Sequence, residues 1–116
     1  MRHRKKGKIL DRPKGQREAL LKGLVNSLVL YEHITTTKAK AKAVRPRVER
    51  LVTRAKDDTI AAKRYVRAQV YTDGARRKLF DVLGPRYQER PGGYTRSIPL
   101  RRRFGDGAAL VRIEFV

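Results

Sequence analysis

The chain has 116 residues, enough for one domain with one modest core. Thirty Lys and Arg stand against 11 Asp and Glu, a formal charge of +19, so the folded chain repels itself unless a polyanion neutralises it. The chain has no Cys, which excludes disulfides and cysteine-ligated metals, and no apolar run approaches the roughly 18 residues of a membrane-spanning helix.

Residues 1–17 hold eight Lys and Arg and one acid, with no apolar period, and read as a basic arm (residues 1–15) ahead of one globular domain (residues 16–116). Nothing in the arm builds a core, so it is expected to order on binding. MRHRKKGKIL is followed by no apolar h-region and no small-residue cleavage site, and an intracellular location is the default expectation. The charge recurs in separate segments instead of along one amphipathic face, which favours nucleic acid over a membrane surface.

From Gln16 to Glu32, Leu20, Leu21, Leu24, Val25, Leu28 and Val29 recur at helical spacing, with Lys22, Asn26 and Ser27 on the other side. Leu30 falls outside the stripe. HITTT (33–37) is β-branched and predicts a short strand, and Thr37 is placed to cap the next helix. That second helix, Lys38 to Lys56, puts Val44, Val48, Leu51, Val52 and Ala55 on one face and carries eight Lys and Arg against Glu49. Pro46 inside it lacks the N–H for the helix ladder and predicts a kink or a late start. Asp58 or Thr59 is placed to cap a third helix bearing Ala62, Val66 and Val70, and Asp73 a short fourth bearing Leu79, Phe80 and Leu83. Gly84-Pro85 reads as its stop.

YTRSIPLRR and ALVRIEFV flank the turn FGDG and predict a hairpin, in which Ala109, Val111, Ile113 and Phe115 alternate with outward residues. Pro99 marks the first of the two strands as an edge or as bulged. The expected fold is α+β: about four helices on a small, mainly antiparallel sheet made of this hairpin and the strand near 33–37.

Catalytic constellations are wanting. His3 lies in the arm, and the only carboxylate beside His33 in sequence is Glu32, which as a neighbour faces elsewhere. Asp57, Asp58 and Asp73 occupy cap positions, Asp106 a glycine turn, and Glu114 an outward strand position. Neither GxxxxGK[ST] nor GxGxxG is satisfied. No catalysis, cofactor, metal or small-molecule substrate is expected.

The stretch 84–108 holds five of nine glycines and six arginines. Arginine forks bond phosphate oxygens, and glycine lets a backbone approach another closely. Arg90 and Arg96, with Gly92 and Gly93 between them, are therefore candidate nucleic-acid contacts. Arg101, Arg102 and Arg103 are further candidates, against the alternative of a solvated edge. Tyr94 is either a base-stacking ring or a half-buried strand aromatic.

In chain order, the start MRH, Thr36-Thr37 before a basic helix, KLF (78–80), RPGGYTR (90–96) and RRFGDGAALVRIEFV (102–116) resemble the bacterial large-subunit ribosomal protein seventeen family over essentially the whole chain. GGYTR followed by GD and a closing strand containing IE is the most specific part. The resemblance implies a non-enzymatic, rRNA-bound component of the large subunit, cytoplasmic in the ribosome, on its outer surface towards the mouth of the exit tunnel. Its partners would be large-subunit rRNA and neighbouring large-subunit ribosomal proteins, with no membrane. Three departures stand out: Asp11 where the family usually has Asn, Pro13-Lys14-Gly15 in place of a Ser/His-rich turn, and an unusually basic 38–56 segment.

On the two grounds together, the candidate rRNA contacts are Arg2, His3, Arg4, Lys5, Lys6, Lys8 and Arg12 in the arm and Thr36, Thr37, Lys38 and Lys40 at the corner. Arg90, Gly92, Gly93, Tyr94, Thr95 and Arg96 follow in the loop, and Arg101, Arg102 and Arg103 on the strand. A competing reading is a free DNA-binding protein, with helices three and four joined by TDG (72–74) as a helix-turn-helix. An RNA-processing enzyme is a third, lacking a visible constellation.

Overall fold

The computed structural model describes residues 8–116. The apolar stripe of the first segment folds as α1 (Lys14–Tyr31), starting two residues earlier than its spacing suggests, and buries Leu21, Val25, Leu28 and Val29. Asn26, expected on the outer side, is buried too, because its side-chain oxygen accepts from the Thr72 hydroxyl at 2.8 Å. Leu30 finds its place beside the start of the fourth helix, against Gly74. Ahead of α1, Leu10 packs on the core, so the described part of the segment read as arm reaches the core.

Glu32 ends α1 in the left-handed region (φ 65), its N–H returning to the Leu28 carbonyl. The chain then enters β1 (His33–Thr37) and α2 (Lys38–Ala55) without a loop between them. Thr37 stands at the N-cap as expected, but its hydroxyl makes no cap bond. Pro46 causes no late start: α2 is helical from Lys38 onward. Its apolar side, Ala41, Val44, Val48, Leu51, Val52 and Ala55, is buried throughout.

Thr59 caps α3 (Ile60–Gln69) by accepting from the Ala62 N–H at 3.1 Å. Thr72, one residue before the expected Asp73, caps α4 (Asp73–Lys78) by accepting from Ala75 N–H. α4 does not stop at Gly84. It widens into a π-helical turn (Leu79–Leu83) and runs on through Gly84–Arg86, with Gly84 in the right-handed helical region. Glycine is required there for a different reason: a Cβ would lie 2.8 Å from the backbone oxygen of Ala55, where this rod crosses the end of α2.

β2 (Thr95–Arg102) and β3 (Ala109–Phe115) form the hairpin, and β3 is the central strand of an antiparallel sheet ordered β1-β3-β2. The register runs His33↔Glu114 to Thr37↔Leu110 on one side and Thr95↔Phe115 to Pro99↔Val111 on the other. Both expectations for Pro99 hold: β2 is an edge, and its register slips between Pro99 and Arg102. Val111, Ile113 and Phe115 face the helices. The resulting α+β core centres on Leu28, Leu51, Leu79, Leu83, Tyr94 and Ile113, all fully enclosed.

Candidate nucleic-acid interface

The loop Arg90–Arg96 is built around a carboxylate. Glu49, on the side of α2 that faces the loop, accepts from the backbone N–H of Tyr94 (3.0 Å), the N–H of Thr95 (3.0 Å) and the Thr95 hydroxyl (2.6 Å). Lys56, two turns further along, donates to the Arg90 carbonyl (2.6 Å) and the Tyr94 hydroxyl (3.0 Å), and Arg45 donates to the Thr95 carbonyl (3.1 Å). One helix face thus holds the loop at both ends. The Tyr94 hydroxyl also meets Thr53 at 3.1 Å, and the ring packs at 5.2 Å from Tyr87.

This placement corrects the stacking reading of Tyr94. The ring is wholly inside, and no face of it is open to a base. Thr95 and Thr36 are buried as well, and the Thr95 hydroxyl is committed to Glu49. Arg90 and Arg96 are exposed, but each is partly engaged: Arg90 Nε donates to the Gly92 and Gly93 carbonyls (both 3.2 Å), and Arg96 Nε to Glu114 (3.2 Å). Gly93 needs its φ of 63. Gly92 does not adopt that conformation, and nothing lies within 4 Å of where its Cβ would be. No packing inside the chain therefore asks for glycine at 92, and bare backbone is turned outward.

Gly92 and Gly93 border an open cleft of about 390 Å³ with Arg50, Arg54 and Tyr65. The Arg54 guanidinium lies over the Tyr65 ring at 5.1 Å. On the other side of Arg50 a larger cleft of about 890 Å³ runs between α1 and α2, lined by Lys8, Arg17, Lys42, Arg47 and Arg50 with one acid, Glu18. Arg47 binds that acid through both terminal nitrogens (2.9 and 3.0 Å), which holds the Glu18 carboxyl below its usual range. Lys8, Arg17, Lys42 and Arg50 make no ion pair among the described residues. Of these, sequence reasoning singled out Lys8 alone; the basic face of α2 was the available signal for Lys42 and Arg50, but the cleft needs the start of α1 to close it.

Lys38 is exposed and Lys40 half-buried at the start of α2, beside a half-buried Thr37. Arg12 donates to the Leu10 carbonyl at 2.8 Å, and Asp11 adopts φ 55, a conformation that suits Asp and Asn. Arg2, His3, Arg4, Lys5 and Lys6 lie outside the described residues. Arg101, Arg102 and Arg103 are exposed where the hairpin turns. There Arg103 N–H donates to the Ala108 carbonyl and pairs through its side chain with Asp106 (2.5 Å), and Arg102 donates to the Gly107 carbonyl (2.9 Å). Asp106 also accepts from the Ala108 N–H. Bonding to Arg103 lowers the Asp106 carboxyl to about 2.

The opening of α4 does not present a DNA-reading face. Ala75 is buried, Arg76 is spent on the Val70 and Arg67 carbonyls and Asp73, and Lys78 binds the Leu30 carbonyl and Glu32. Only Arg77 of this cluster is left outward. His33 is exposed at the start of β1, across from Glu114. No helix of the described residues is long and apolar enough to cross a membrane.

Fold and surface thus define a strongly basic α+β protein whose clefts are lined by guanidinium and ammonium groups. Its similarity to known proteins is specific: the family model for ribosomal protein L17 matches residues 20–116. The chain is 50% identical over 116 residues to the large ribosomal subunit protein bL17 of Thermomicrobium roseum, covering 100% of this chain and 99% of the relative. It is 45% identical to that of Dehalococcoides mccartyi over the same shares, and 50% identical to that of Salinibacter ruber, of which it covers 59%. The chain belongs to the ribosomal protein L17 family.

Proposed function

We propose that this chain is a structural, non-enzymatic constituent of the large ribosomal subunit, cytoplasmic in the ribosome, that binds and orients rRNA segments by neutralising their phosphates. The observation that carries the reading is the α1–α2 cleft, where four cations without an ion pair among the described residues converge around one acid already matched by Arg47. Such a surface gains when phosphates replace small counterions. The loop 90–96 adds a backbone fixed from behind and open in front, with Arg90 and Arg96 at its ends to grip RNA. The globular part then sets the angle between the rRNA segments it touches. The resemblance adds a position towards the exit-tunnel mouth and contacts with neighbouring large-subunit proteins.

Sucrose-gradient sedimentation of a cell extract tests the reading. The chain should travel with large subunits and stay with them in moderate salt. Recovery at the top of the gradient would refute it.

A further inference from the structure

We propose that the hairpin tip Arg101–Gly107 is a base-stacking element, and that Phe104 is the residue that stacks on an unpaired rRNA nucleobase. The inference rests on the rRNA-binding function proposed above and names a contact within it.

Phe104 is 86% exposed, the most exposed large apolar side chain among the described residues. The fold does not use it. The turn is shaped by Gly105 (φ 96), Gly107 (φ 66) and the bonds of Arg103 and Asp106, and the ring has no part in the core. An aromatic ring left in water at the end of a hairpin is paid no stabilisation until something covers it.

The surroundings select the partner. Arg101 places its guanidinium 5.6 Å from the centre of the ring and makes no hydrogen bond or ion pair among the described residues. Of the tip's four charges three are arginines, and the lone acid, Asp106, is already matched by Arg103. A protein pocket for Phe104 would have to bury these cations or supply acids for each. A nucleotide supplies both requirements at once: a π-face for the ring and a phosphate for Arg101. The base must be unpaired, since the faces of bases within a helix are already stacked and only loops, bulges and ends splay them out. The tip is also formed in advance. Arg103 N–H donates to the Ala108 carbonyl (2.9 Å) and Gly107 N–H to the Arg103 carbonyl (3.0 Å), so the ring is carried on a closed turn.

The test uses the full chain and large-subunit rRNA of the source organism, free of other proteins. Wild type, Phe104→Ala and Phe104→Trp are compared for affinity over a range of salt and for protection of unpaired bases from chemical modification. Because Phe104 is exposed, all three fold alike. Phe104→Ala should bind about tenfold more weakly or worse, with the wild-type salt slope, and should leave one unpaired base newly reactive. Phe104→Trp should keep the affinity and the protection. Equal binding by Phe104→Ala overturns the inference. If that variant is impaired only on subunits assembled with their other proteins, a protein pocket takes the ring and the inference is again wrong. Failure of the wild type to bind rRNA would instead sink the rRNA-binding function itself, and this contact with it.

Discussion

RPGGYTR and RRRFGDG have nearly the same composition and opposite attachments. In residues 90–96 the backbone is held by Glu49 and Arg45 of α2 and by Lys56 at its C-terminal end, and Tyr94 is sunk in the core. In residues 101–107 every residue is exposed, and the bonds that shape the turn stay within 102–108. Arginine and glycine alone do not say which arrangement results. What decides is whether a carboxylate and an aromatic cluster stand behind the segment. The first region is a piece of the core brought to the surface; the second is a surface device with no stake in the core.

The comparison can be broken most directly at its two rings. Replacing the enclosed Tyr94 by Ala should cost about 3–5 kcal/mol of unfolding free energy, whereas Phe104→Ala should stay within about 0.5 kcal/mol. Denaturant melts of the two variants decide it, and equal losses would show that the tip is more than a surface device. A smaller effect follows at the anchor. Glu49→Ala strands three donors, and should cost about 2 kcal/mol while speeding hydrogen exchange at the Tyr94 and Thr95 amides. Unchanged exchange there would mean the loop holds its own shape.

Two carboxyls sharpen the contrast further. Arg86, helped by Lys78, lowers the Glu32 carboxyl to about 2, and Arg103 lowers the Asp106 carboxyl to about 2 from a lower ordinary value. Both are more acidic folded than unfolded, so whatever stability they contribute is complete above the ordinary carboxylate range and is lost as pH falls through about 2. The Glu32 carboxylate joins the end of α1 to the α4 rod through Lys78 and Arg86. Its loss should therefore be felt globally: Glu32→Gln should cost about 1 kcal/mol after allowance for solvent screening, and should flatten the decline of the melting temperature between neutral and acid pH. Asp106→Ala should leave the melting temperature in place and merely speed exchange of the Ala108 amide. A melting shift as large as that of Glu32→Gln would erase the distinction.

Signals carried by neighbours in sequence were legible. The alternation of β3, the β-branched run of β1, the glycine turn of the hairpin and the Pro99 edge all follow from periods and turn chemistry within a few residues. Misreadings occur where a distant residue decides. Gly84 resembles a helix stop, but what demands glycine is a carbonyl 29 residues earlier, at Ala55. Asn26 looks solvent-facing until Thr72 arrives beside it. Among the candidate contacts, Tyr94 and Thr95 were drawn inward by Thr53, Lys56 and Glu49, none of which their own segment reveals. The α1–α2 cleft was hidden for the same reason, since Lys8 and Arg17 come from α1 and its approach and Lys42, Arg47 and Arg50 from α2.

The salt dependence of rRNA affinity tests the central claim, that fixed cations on this surface bind phosphate. With the full chain and large-subunit rRNA, log affinity should fall steeply against log salt. The double variant Arg90→Ala with Arg96→Ala should bind more weakly, with a slope shallower by roughly 1–2. A wild-type affinity that does not fall with salt would contradict the account, and a double variant matching the wild type in both affinity and slope would remove the loop from it.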